Sequence, residues 1–386
     1  MTVMQGFPPE EADRAALGNW RTSPYCRWAF HHVREIVPSA DIPNDPSDVW
    51  ALERGEADLS AAGLDDAVGG MSNDALVIVK SGRIVHESYR NGMGPGDPHI
   101  LMSVSKSMLG LLGGVLVEAG ELDPDAPLTS YLPEIAGTAY AGATVRQALD
   151  MRVGARFDED YFTTSGPIID YRYAANWNPA PQGYEPTDLR GFQSRMVESD
   201  GPHGGRFHYV SPVTDLLAWV YERATGRRYA DLMSERLWKP MGAETPAYIT
   251  VDRIGGPRAA GGMCVTARDL ARVGLLMLCG GMRDGRRVIP AGWIDDIVSG
   301  GDPEAWARGD FADKFPGVDR HYRSKWYVHR GETPLIHGLG IHGQYLFVDP
   351  AREISIAWLS SEHEPISDVW GAHVLGAVAR IREALS

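Results

Sequence analysis

The chain has 386 residues, 44% hydrophobic and 23% charged, and a formal net charge of −14. That length can bury a large core as two interleaved lobes or two domains. The acidic balance argues against a nucleic-acid partner, and no apolar run approaches the ~18 residues needed to span a membrane.

The opening residues, Met1-Thr2-Val3-Met4-Gln5-Gly6-Phe7-Pro8-Pro9, have neither a basic start nor an apolar h-region, so a cytoplasmic location is expected. Residues 1–70, rich in Pro, Asp and Ala, predict a segment that wraps around the main body. Residues 75–87 predict a β-hairpin turning at Ser81-Gly82. Leu101, Val104, Met108, Leu111, Leu112 and Val115 then follow helical spacing up to Gly120. Gly110, Gly113 and Gly114 fall inside that helix. Each costs up to ~1 kcal/mol relative to Ala, so close packing against another element is expected to compensate.

From about 121 to 255 helical and loop segments dominate. Val213, Leu216, Leu217, Val220, Tyr221 and Ala224 form one helix face, with Ser211 as N-cap, Pro212 in the first turn and Gly226 at the end. Thr266 to Leu278 predicts another helix. After 320 the pattern changes to a strand meander, Lys325–Arg330, Ile341–Val348 and Glu353–Leu359, followed by a terminal helix from about Asp368 to Leu385. The expected architecture is α/β: an α/β lobe from 71–120 and 256–386, and a mostly helical lobe from 121–255. Cys26, Cys264 and Cys279 are odd in number and widely spaced, and read as buried thiols.

The chemistry centres on Ser103-Val104-Ser105-Lys106. The chain holds five lysines, and this one sits one helical turn from a serine at a helix start. Residues three apart share a face, so the amine can reach the hydroxyl. A serine hydroxyl becomes a good nucleophile when a base takes its proton, and a buried lysine of lowered pKa is such a base. S-x-x-K is a motif of serine acyl-enzymes. The reaction also needs a second proton carrier, two N–H donors for the oxyanion and a route for water. Tyr209, just ahead of the 212–225 helix, is the candidate relay; Ser211 is either an N-cap or a direct participant.

Gly338, Gly340 and Gly343 spell G-x-G-x-x-G, but they lead into a strand and turn rather than opening a helix, which rules against a dinucleotide site. An edge strand whose glycines let the backbone approach a substrate is the better reading. His31-His32, His337 with His342, and His363-Glu364 lack metal-ligand spacing. Asp158-Glu159-Asp160 reads as a solvated turn. No metal or cofactor is expected.

The ordered set Ser103-x-x-Lys106, Tyr209-x-Ser211 and a Gly-rich C-terminal strand resembles the serine β-lactamase and penicillin-binding-protein superfamily, on its class C and carboxylesterase side. More narrowly, the chain is similar to the 6-aminohexanoate-dimer hydrolases, which cleave nylon oligomers. The similarity spans roughly 70–365 and includes Leu101-Met102-Ser103-Val104-Ser105-Lys106-Ser107, Asp158-Glu159-Asp160-Tyr161, Asp215-Leu216-Leu217-Ala218-Trp219, Thr266-Ala267-Arg268-Asp269-Leu270-Ala271-Arg272 and Gly340-Ile341-His342-Gly343-Gln344. It implies a β-lactamase-like fold, an antiparallel sheet flanked by helices plus a helical lobe. It also implies Ser103 as nucleophile, Lys106 as base, Tyr209 as proton relay, and the amides of Ser103 and Ile341 as oxyanion hole. Tyr161 would close over the bound amide and Trp177 would form an aromatic wall, with Gly340 and His342 on the substrate strand.

Two departures stand out. Gly338-Leu339-Gly340 replaces the Lys-Thr-Gly of β-lactamases, which removes a cation that holds a β-lactam carboxylate. Arg172 and Ala260 occupy the positions of an acidic and a polar substrate-binding residue in the nylon-oligomer hydrolases. The expected function is hydrolysis of a small-molecule ester or linear amide through an acyl-enzyme. The alternatives are an acyltransferase on the same fold or a non-catalytic penicillin-binding-like protein. The resemblance leaves room for a homodimer.

Overall fold

Alternation along the strands buries both faces of one large sheet. The structure, a computed structural model, describes residues 3–64, 68, 72–315 and 318–386; the segment boundary expected at residue 70 lies outside them. Its strands are β1 Ser39–Ile42, β2 Asn73–Lys80, β3 Arg83–Tyr89, β4 His99–Ile100, β5 Ala247–Thr250, β6 Met263–Val265, β7 Met282–Arg283, β8 Arg286–Arg287, β9 Arg320–Arg323, β10 Trp326–His329, β11 Leu335–Gly340, β12 Gln344–Asp349 and β13 Ile354–Ser360. The main sheet is antiparallel, in the order β3-β2-β13-β12-β11-β10-β9. A smaller sheet runs β1-β5-β6-β4, and β7-β8 is a separate ribbon.

Leu76 and Ile78 of β2, with Ile354, Ile356 and Trp358 of β13, meet Trp370, Val374, Val378 and Ile381 of the terminal helix Asp368–Ala384. The alternate residues Val77, Val79, Ala357 and Leu359 join the central core with Val273 and Leu276 of the helix Ala267–Leu278. This period of two covers the sheet with a helix on each face. The predicted hairpin forms at Ser81-Gly82, both with positive φ (48° and 79°), the geometry of a tight two-residue turn.

Two expectations change near the C-terminus. The segment from Ile341 does not begin a strand: Ile341–Gly343 is the turn between β11 and β12, where His342 (φ 60°) and Gly343 (φ 84°) reverse the chain. The glycine strand is not at the sheet edge either, because β11 lies between β12 and β10. β10 pairs with it only from Leu335 to His337, however, which leaves Gly338–Gly340 open on that side. Residues 39–42 also form a strand rather than plain wrapping chain. Cys26 and Cys264 are buried, but Cys279 is exposed because it follows the last turn of the helix Ala267–Leu278.

The helix Val104–Glu118 runs through the interior and is buried on nearly every side. Its glycines admit close neighbours. A Cβ at Gly113 would strike the Tyr221 hydroxyl, one at Gly110 the Ser324 carbonyl, and one at Gly114 the Trp293 ring. Trp293 is itself pinned by its indole N–H to the Gly110 carbonyl at 3.0 Å. Gly114→Ala should therefore lose about 1–3 kcal/mol through overpacking, more than the ~1 kcal/mol gained in helix propensity. Urea unfolding should show a lower midpoint at unchanged slope; an unchanged or higher midpoint would mean that Trp293 yields.

Candidate active site

Met102 takes φ 44°, a left-handed value uncommon for a side-chain-bearing residue, and delivers Ser103 to the N-cap of the buried helix. A serine at that position usually caps the helix with its own hydroxyl. Ser103 does not. Its Oγ instead meets Lys106 Nζ at 2.8 Å. The neighbouring serines are spent elsewhere, Ser105 Oγ on the Met263 amide (3.1 Å) and Ser107 Oγ on the Lys325 carbonyl (2.8 Å).

Lys106 is 1% exposed. Besides Ser103, its Nζ donates to the Ala260 carbonyl at 2.6 Å and stands 5.0 Å from the centre of the Tyr209 ring. Burial pushes its pKa down to about 7; Arg258 adds to the effect, while Glu159 and Asp215 oppose it. Tyr209 is buried, and burial raises its pKa, a shift that the nearby Ser103 hydroxyl opposes. The Asp310 carboxylate fixes the Tyr209 backbone, accepting from its amide at 2.8 Å and contacting His208 Nδ1 at 2.8 Å.

The second glycine run meets the helix start here. A Cβ at Gly340 would lie 2.7 Å from the Leu101 carbonyl and 2.9 Å from the Ser103 amide nitrogen. Among the described residues, neither the Ser103 amide nor the Ile341 amide donates to a protein acceptor. Two open N–H groups are therefore carried by residues that line the same recesses.

Ser103, Tyr161 and Ile341 are shared by two recesses. The larger, about 400 Å³, is lined further by Tyr209, Gly340, Phe311, Leu339 and Tyr345 among others. The smaller, about 30 Å³, is lined by Arg172, Trp177, Ala260, Arg21, Arg258 and Glu159 among others. The candidate residues Ser103, Lys106, Tyr209, Ile341, Tyr161, Arg172, Trp177, Ala260 and Gly340 thus converge on one place. His342 does not: it is buried behind the turn, its Nδ1 on the Glu362 carbonyl at 2.7 Å, and it lines neither recess. Asp170 is held by the Tyr184 hydroxyl at 2.8 Å and lines neither recess.

Three supporting residues had no role in the sequence reading. Glu159, read as part of a solvated turn, points inward. Its carboxylate accepts from the Ser211 amide (2.8 Å), the Tyr161 hydroxyl (2.9 Å) and the Ser211 hydroxyl. Ser211 is consequently the first residue of the helix Ser211–Thr225 and not its cap; Val210 holds that position, and Glu159 supplies the negative charge at the helix N-terminus. Asp215 forms a buried ion pair with Arg258 at 2.7 Å, binds the Tyr171 hydroxyl, and accepts from the Ala260 amide at 2.8 Å. Ala260 therefore matters through its backbone, which joins Asp215 on one side to Lys106 on the other. Lys325 is buried behind Lys106 with its Nζ on the Ala148 carbonyl at 2.7 Å; it lines neither recess, so it does not restore the cation missing from Gly338-Leu339-Gly340. Among the described residues no group of three or more His, Cys, Asp or Glu is placed to hold a metal ion.

Known proteins resemble this chain in sequence and in fold. The Beta-lactamase family profile matches residues 61–378. A 6-aminohexanoate-dimer hydrolase of Paenarthrobacter ureafaciens is 36% identical over 382 residues, 98% of this chain and 96% of that protein. The structure of a Bacillus anthracis protein, provisionally assigned as a 6-aminohexanoate-dimer hydrolase, superposes with a TM-score of 0.87 at 26% identity, covering 98% of both chains. A family VIII carboxylesterase shares the fold at a TM-score of 0.61 and 16% identity, covering 86% of this chain and 99% of its own.

Removing one charge of a buried ion pair costs about 3–5 kcal/mol because its partner is left unpaired. Asp215→Asn should approach that loss in urea unfolding; a loss under ~1 kcal/mol would show that the Asp215–Arg258 pair behaves like an exposed one.

Proposed function

The chain belongs to the beta-lactamase family, and on that premise we propose that it is a serine hydrolase that cleaves small esters or linear amides through an acyl-enzyme on Ser103. The observation that carries the reading is the buried Lys106 amine, 2.8 Å from the Ser103 hydroxyl. With its pKa pushed down to about 7, much of this lysine is neutral at physiological pH and can accept a proton.

In the proposed cycle Ser103 Oγ attacks the substrate carbonyl as its proton passes to Lys106. The Ser103 and Ile341 N–H groups receive the oxyanion, and each such donor is typically worth about 10²–10³ in rate. Tyr209, whose pKa burial holds above the usual phenol range, keeps its proton until it can hand it to the leaving group while Lys106 replaces it. Water then attacks the ester carbonyl by the same route in reverse and releases the acid. Tyr161, held by Glu159 at 2.9 Å, overhangs both recesses and suits a role over the scissile bond.

The relative from Paenarthrobacter ureafaciens is a 6-aminohexanoate-dimer hydrolase; linear amides of that kind are the substrate class to try first here. Charge sets a limit on the analogy. Arg172 lines the small recess together with Arg21 and Arg258, so this pocket disfavours an ammonium end and suits a neutral or anionic one. β-Lactams should be poor substrates because no cation occupies the Lys-Thr-Gly position.

The test uses p-nitrophenyl acetate, nitrocefin and a linear 6-aminohexanoate dimer with the wild type and Ser103→Ala. Ester turnover should fall by about 10³-fold or more in the variant, and nitrocefin should be barely touched. The wild-type kcat/KM should rise with pH through about 7, because Lys106 acts in its deprotonated form and loses that ability as pH falls. Full activity in Ser103→Ala, or a flat profile across pH 6 to 8, would overturn the assignment of these roles.

A further inference from the structure

The lining of the large cleft contains a buried cation that the reaction above does not use. Arg320, in β9, is 2% exposed and is one of the residues that line the cleft. Its Nε and Nη1 have no hydrogen-bond partner, and among the described residues no carboxylate pairs with it. Its charge rests over the face of Phe315, 4.0 Å from the ring centre. Burial pushes its pKa down to about 10, so it remains charged at neutral pH.

Neighbouring histidines share the deficit. His337, 1% exposed, also lines the cleft; its Nδ1 is unpartnered, and its ring stacks on Tyr327 at 5.2 Å. His329 packs against His337 at 4.8 Å with a buried, unpartnered Nε2. Burial holds both imidazoles neutral, and the Arg320 charge reinforces this, so Arg320 is the only full charge of the group.

A guanidinium taken out of water without a counter-ion is unfavourable, and buried arginines are ordinarily paired. One that is buried, unpaired and facing a cleft is completed by an anionic ligand, and its planar fork matches a carboxylate. The acidic groups on the cleft lining, Glu364 and Asp368, are exposed at the rim and face solvent. The cleft that Ser103 and Arg320 both line also presents apolar surfaces such as Phe311, Leu339 and Tyr345. Direction follows from Tyr209, which lines this cleft and not the small recess. A leaving group that takes its proton from Tyr209 departs into the larger space.

We propose that Arg320, with His337 beside it, is a carboxylate-binding subsite that selects substrates whose leaving alcohol or amine carries an apolar stem ending in a carboxylate. The choice of leaving group rests on the acyl-enzyme reading above; the anion subsite itself does not.

The test compares N-butanoyl-6-aminohexanoate with its terminal carboxamide. In the wild type kcat/KM should favour the carboxylate by about tenfold or more, mainly through KM. In Arg320→Gln the ratio should fall to near one, and Arg320→Lys should keep part of it. The ratio is insensitive to a general loss of fold or rate. Equal use of both substrates by the wild type, or a preference that survives in Arg320→Gln, would overturn the proposal. A second measurement needs no turnover: calorimetric titration of Ser103→Ala with 6-acetamidohexanoate and 6-acetamidohexanamide. Tighter carboxylate binding that vanishes in Ser103→Ala/Arg320→Gln supports the subsite, and equal binding of the two ligands overturns it. Loss of the acyl-enzyme reading is recognised separately, by the absence of Ser103-dependent turnover of p-nitrophenyl acetate.

Discussion

The proposed chemistry depends on keeping one buried amine uncharged. Lys106 can serve as a base near neutral pH only if burial outweighs the attraction of nearby carboxylates. Two such carboxylates, Glu159 and Asp215, favour its charged form. Neither pairs with it. Glu159 is occupied by Ser211 and Tyr161, and Asp215 by Arg258, Tyr171 and the Ala260 amide. Lys106 is left with a hydroxyl and a backbone carbonyl. Were either carboxylate to turn toward it, the ion pair would hold the proton and the base would be lost.

That electrostatic arrangement requires tight steric placement. The helix with Ser103 at its cap is enclosed on nearly every side, and it tolerates this because glycines stand where neighbours press closest. Gly338 and Gly340 perform the same service from the sheet. A Cβ on Gly338 would sit 3.0 Å from Ser107 Oγ and 3.1 Å from Val104 Cγ1, while Gly340 borders the Ser103 amide. β10 ceases to pair after His337, so this stretch of β11 is also open along its edge. The space that remains is the one a substrate carbonyl would enter.

Much of this frame is legible in the sequence, where the signals are local. The hairpin at Ser81-Gly82, the apolar spacing after Ser103 and the Ser103–Lys106 pair are each set by residues only a few positions apart, and glycines inside a helix announce close packing without naming the partner. What resists reading is set by long-range contact. Nothing around Glu159 shows that its carboxylate caps the helix beginning at Ser211, about fifty residues on, so the acidic run resembles a solvated turn. The importance of Asp215 appears only when Arg258 and Ala260 fold back onto it. The glycine strand looks like an edge because a sequence cannot show that β10 stops pairing halfway along β11.

The distribution of charge gives the site a character of its own. The position of the usual Lys-Thr-Gly cation is empty of charge, yet positive groups have not left the region. Arg21, Arg172 and Arg258 line the small recess, and buried Arg320 and exposed Lys314 line the large one. The chain as a whole carries −14, so its long-range field does not draw anions in; steering of that kind is carried by net and surface charge and weakened by salt. Selectivity for an anionic end must then act at short range, through buried cations that a ligand meets only after it has shed water. Desolvated guanidinium–carboxylate contacts are strong and directional, and they are much less screened by salt than surface pairs. Under the proposed function, Ser103, Lys106 and Tyr209 supply the chemistry, and the arginines around them set the charge of the substrate that fits.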